Sequence, residues 1–165
     1  MTFSLIDYFE DKLKEGDELL SNGHFKQAVM KYYLFMEEIM ILFVRELCPE
    51  IHRRASKYGG WHSYWQKERG YGLEVAYHAI RKEFEKRAGQ SVSQSFALAW
   101  KSAKELEREN TFECCLYLDK ETIYENIDNI RCFWNKIKDF IENEKISGFE
   151  NISSRKEGLG INSCL

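Results

Sequence analysis

The stretch Phe25–Leu47 (FKQAVMKYYLFMEEIMILFVREL) constrains the fold more than any other part of the chain. Phe25, Val29, Tyr32, Met36, Ile39 and Phe43 recur at alternating spacings of four and three, which lines them along one side of an α-helix. Met30, Tyr33, Leu34, Phe35, Met40, Ile41, Leu42 and Val44 fill much of the remaining circumference. A helix that is apolar nearly all round is buried, in a core or against a partner. The other elements are expected to pack around this one.

Those elements also read as helices. Leu5, Phe9, Leu13, Gly16 and Leu20 mark a helix over Ser4–Ser21, capped by Ser4 and ended by Asn22-Gly23. So short a link makes the first two helices antiparallel neighbours. Pro49 ends the second helix. The stretch from His52 to Gly72 holds four glycines and is read as irregular, with a short helix around Trp61–Lys67. A third helix spans Tyr71–Arg87 and stops at Gly89, and a fourth spans Ser93–Glu109. After a connector (Phe112–Leu118), Asp119 caps the fifth, where Ile123, Ile127, Ile130, Trp134, Ile137 and Ile141 form an unbroken stripe. Periodicity is lost from Lys145 onward. The expected fold is an all-α, up-and-down bundle of four to five helices over residues 1–144, with a loosely docked or disordered tail over 145–165.

Several classes of function are set aside. The most apolar window carries Lys31, Glu37, Glu38, Arg45 and Glu46, too many charges for a membrane span. The first residues lack the basic start of a signal peptide. The five cysteines form no CxxC pair and are expected to be thiols. These features point to the cytoplasm. No His/Cys cluster offers a metal its ligands, no glycine-rich phosphate loop is present, and no cofactor is expected.

Charge, by contrast, is segregated. The net value of −3 hides roughly −4 for residues 1–48, +5 for 49–108, −5 for 109–144 and +1 for the tail. Within the basic part, Arg53, Arg54, Lys57, Lys67 and Arg69 share a short stretch with Trp61, Tyr64 and Trp65. Cations neutralise phosphates and flat rings stack unpaired bases, so these eight residues are candidates for holding single-stranded nucleic acid. The competing reading is that the aromatic side chains pin a connection onto the bundle while the charges stay solvated.

The run Gly16–Tyr33, then Gly60-Trp61, then Trp100…Ala103…Leu106, then the isoleucine stripe, resembles the archaeal PaREP family of small helical proteins. That family in turn resembles the HEPN superfamily. The resemblance implies a helical bundle that pairs into homodimers. Some HEPN proteins are metal-independent ribonucleases with an Arg-x(4–6)-His motif near the last long helix, and this chain has no histidine after His78. Relatives tend to carry histidine after the leucine of W-x-x-A-x-x-L, where this chain has Glu107. Arg45-x6-His52 matches the spacing but sits at the end of the second helix, and chance readily supplies such a pair. Arg45 and His52 are therefore the only catalytic candidates, and weak ones.

The expected function is that of a non-enzymatic binding or scaffold protein, homodimeric, with a protein or RNA partner. A HEPN-type ribonuclease and a nucleic-acid binder without cleavage are the alternatives. Leu34, Ile41 and Leu42, the apolar excess of the second helix, are the candidate dimer surface.

Overall fold

A computed structural model describes residues 4–57, 71–111 and 119–144. Among them the chain forms α1 (Leu5–Ser21), α2 (Phe25–Leu47), α3 (Pro49–Lys57), α4 (Tyr71–Arg87), α5 (Gln90–Thr111) and α6 (Lys120–Asn143), with no strand. The all-α bundle expected from the periodicities is the fold of the protein. The expected short helix at Trp61–Lys67, the connector and the tail lie outside the described residues.

Local chemistry sets the helix ends. The Ser4 hydroxyl accepts from the Asp7 amide at 3.2 Å, and the Asp119 carboxylate accepts from the Thr122 amide at 2.8 Å. Each satisfies one of the donors a first helical turn leaves orphaned. Gly23 and Gly89 adopt φ of +79° and +95°, the left-handed geometry that ends α1 and α4 at little cost without a Cβ. After Gly23 the His24 amide reaches back to the Leu19 carbonyl at 2.9 Å, which turns α2 back against α1.

Two expectations need correction. The stretch after Cys48 is not irregular from its start, because a helix resumes at Pro49 and runs to Lys57. Proline ends α2 by excluding helical geometry at Cys48, yet its fixed φ and missing N–H suit the first position of a new helix. Similarly, α5 begins at Gln90, three residues before the expected Ser93, because Gly89 completes the turn in a single step.

The central position of α2 holds. It packs against each of the other helices. Phe9 of α1, Phe35 of α2 and Trp134 of α6 meet with ring centroids 5.5–5.7 Å apart, a tilted and edge-to-face cluster that closes the α1–α2–α6 seam. Further along α2, Phe43 meets Phe84 of α4 at 5.0 Å and Phe140 of α6 at 6.2 Å, while Phe84 also touches Phe96 of α5. Leu42 is fully buried within this core. It is thereby removed from the candidate dimer surface, whereas Leu34 and Ile41 are half-buried and pack against the core's edge.

Candidate functional site

Adjacent tyrosines of α2 diverge to opposite polar clusters. Tyr32 points to α1 and α6. Its hydroxyl donates to Asp17 and accepts from Arg131 at 2.9 Å, while Arg131 also donates to Asp17. Burial and the bond to Asp17 push the Tyr32 phenol well above its ordinary range, with Arg131 opposing. A Cβ at Gly16 would stand 3.0 Å from the Tyr32 ring, so α1 approaches that ring closely only because residue 16 is glycine. Each charge has its counter-charge, and the cluster joins three helices.

Tyr33 faces the other way, stacking on Trp100 of α5 with centroids 6.3 Å apart. Its neighbours are carboxylates. Burial, then Glu107 of α5, then Glu38, push Glu37 up to about 7. Glu107 is also raised by burial of its carboxyl, although the residue as a whole is exposed. Tyr33 in turn is raised by its own burial and by both carboxylates. Among the described residues Glu37 has no cation and no hydrogen-bond donor. Burial and the repulsion of the Glu107 carboxylate both favour the protonated form of Glu37.

Beyond Trp100, an open groove of about 460 Å³ runs between α4 and α5. Its floor is Trp100, with Tyr77 and Ala97 half-buried beside it, and Leu98 stands at the edge 49% exposed. Gln94, Lys101 and Lys104 supply the polar lining. The Lys104 ammonium lies 5.9 Å from the Trp100 ring and 3.4 Å from Glu74 of α4. Lys101 is exposed and has no carboxylate among the described residues. Trp100 keeps its indole N–H buried without an acceptor among the same residues. The groove thus offers an apolar, aromatic body and cations, which suits an occupant with a flat or apolar group flanked by negative charge.

The sequence candidates fall elsewhere. Arg53, Arg54 and Lys57 are exposed on α3, where Glu50 holds Arg53 at 2.6 Å. Trp61, Tyr64, Trp65, Lys67 and Arg69 lie outside the described residues. Arg45 is half-buried in the last turn of α2, 3.6 Å from Glu46. His52 is half-buried on α3, its amide bonded to the Cys48 carbonyl at 3.2 Å. Burial raises the Cys48 thiol to about 11, as suits a small core hydrophobe, whereas Cys132 is exposed on α6. Among the described residues no group of three or more His, Cys, Asp or Glu side chains is placed to hold a metal. Nor is any described helix long and apolar enough to cross a membrane.

Sequence reasoning missed both the groove and the Asp17–Tyr32–Arg131 cluster. The signals available were Gly16 in an otherwise bulky stripe and Arg131 beside an unbroken run of isoleucines. Residues 4–127, or 124 of the 165, match the model of the archaeal PaREP1/PaREP8 family. No curated protein and no solved structure matches the chain.

Proposed function

We propose a binding and scaffolding role for this chain, which belongs to the archaeal PaREP1/PaREP8 family. The observation that carries it is the α4–α5 groove, an open apolar surface rimmed by Lys101 and Lys104. Isolated surface hydrophobics need no explanation, but an open groove with convergent polar groups is the usual form of a binding site. Its chemistry favours a protein partner that presents an aromatic or apolar side chain among carboxylates. Assembly as a homodimer and kinship with HEPN bundles belong to the same proposal, in a cytoplasmic protein.

The test is fluorescence anisotropy with a labelled glutamate–tyrosine copolymer. Saturable binding that weakens with salt, and that the double variant Lys101→Glu/Lys104→Glu loses, supports the groove as the site. Equal binding by both proteins, or none, defeats it.

A second reading rests on α3, which exposes Arg53, Arg54 and Lys57 on one short helix. Together with Trp61, Tyr64, Trp65, Lys67 and Arg69 these residues would hold single-stranded RNA through phosphate neutralisation and stacking. Labelled oligouridylate separates the readings. Its affinity should fall steeply with salt and drop in Arg53→Ala/Arg54→Ala, while the groove variant retains it.

A further inference from the structure

The groove has a counterpart on the same chain. Helix α6 exposes Glu121, Tyr124, Glu125 and Asp128, at spacings of three and four that place them along one stripe. Tyr124 is 44% exposed, one of three large hydrophobic side chains left so accessible among the described residues, and Leu98 of the groove is another. Glu121, Glu125 and Asp128 have no cation among the described residues, just as Lys101 has no carboxylate. Like charges at i and i+4, as at Glu121 and Glu125, repel within an isolated helix. The chain therefore carries an acidic stripe without counter-charge among the described residues around an exposed aromatic ring, and a groove around an exposed leucine where Lys101 has no carboxylate and Lys104 has Glu74 alone.

We propose that a second copy of this chain occupies the α4–α5 groove by docking the Glu121–Asp128 stripe of α6, with Tyr124 on the apolar floor and its flanking carboxylates on Lys101 and Lys104. The proposal rests on the binding role assigned to the groove and names its partner. Dimensions agree. The stripe covers about 10 Å of helix, and Gln94 to Lys104 extend about 15 Å along α5 at 1.5 Å per residue. Charge segregation along the sequence, roughly +5 over residues 49–108, which hold the groove, and roughly −5 over 109–144, which hold the stripe, is the same complementarity seen at low resolution. Because groove and stripe are different patches, every copy offers one of each. A single helix stripe is a small contact, at the low end of interface sizes below about 1,200 Å², so association is weak and concentration-dependent.

Sedimentation velocity on the full chain, from micromolar to millimolar concentration, tests this. The wild-type sedimentation coefficient should rise with concentration. Lys101→Glu/Lys104→Glu and Glu121→Lys/Glu125→Lys should each stay monomeric, at least tenfold weaker in self-association. Their equimolar mixture should associate again, because the reversed stripe of one meets the reversed groove of the other. Tyr124→Ala, at an exposed position that leaves the fold intact, should weaken association with all charges retained. A wild type that stays monomeric throughout overturns the proposal. So does association that survives both reversals and is lost instead in Leu34→Glu/Ile41→Glu, which would move self-pairing to α2. If the glutamate–tyrosine copolymer still binds the groove of a monomeric wild type, the binding role stands and only this occupant falls. If the copolymer also fails, both fall.

Discussion

Tyr32 and Tyr33 are consecutive residues of one helix, and their surroundings have opposite electrostatic character. Tyr32 sits between an acid and a base, Asp17 and Arg131, and the three side chains, each from a different helix, bond to one another. Tyr33 sits beside two acids, Glu37 and Glu107, with no base among the described residues to balance Glu37. A balanced cluster resists change and fixes geometry. An unbalanced one makes folding depend on proton concentration, because burying like charges costs free energy until one is neutralised. The α1–α2–α6 side of the bundle is built for rigidity, and the α2–α5 side, which leads to the groove, carries the adjustable chemistry.

The most damaging way to break this contrast is at Gly16. Gly16→Val places methyl groups against a Tyr32 ring that Asp17 and Arg131 hold in place, and overpacking of this kind costs about 1–3 kcal/mol. Chemical denaturation should show a lowered midpoint with an unchanged slope. Glu37→Gln should act in the opposite direction. The folded carboxyl titrates at about 7, above its ordinary 4.5, so its contribution is full below 4.5 and is lost as pH rises through 7. Glu107, Glu38 and Tyr33 are the titratable groups that face it. Wild-type stability should therefore fall between those limits, while the glutamine variant is flatter and more stable by about 1–2 kcal/mol near neutral pH, allowing for its half-exposed setting. A wild type that gains stability over this window would refute the assignment.

Smaller effects test the open side. Lys101 is exposed and has no ion pair among the described residues, so the stability of Lys101→Glu should stay within about 0.5 kcal/mol of wild type while copolymer binding weakens. The smallest effect is expected at His52. If Arg45 and His52 are a chance spacing, His52→Ala leaves any RNA cleavage by purified protein at the wild-type level. Metal-independent cleavage that disappears in this variant would instead establish the ribonuclease reading.

Most of the fold was legible in the sequence, because apolar periodicity and end signals carry it. Ser4, Asn22-Gly23, Gly89 and Asp119 marked their helix ends, and α2 was recognisable as central because too few of its faces are polar. What misled was Pro49, which ends one helix and begins another, two roles with one local signature. The sites were far less legible. Glu37 and Glu107 are seventy residues apart, so nothing local indicates that the charge of one raises the other, and a groove exists only once two helices pack at a given distance. Leu42 counts as surplus by spacing alone because periodicity shows which face a residue occupies without showing what covers that face.

The Arg131–Asp17 contact has a consequence for the order of events in folding. It joins residues 114 positions apart, whereas α1 and α2 are neighbours in sequence and can meet early. Closing so large a loop is entropically slow, so the clasp belongs after the hairpin has formed. Interactions made that late are absent from the transition state and act mainly on the rate of opening. The Tyr32 cluster is thus a latch on unfolding, and it governs how long the bundle, once assembled, stays closed.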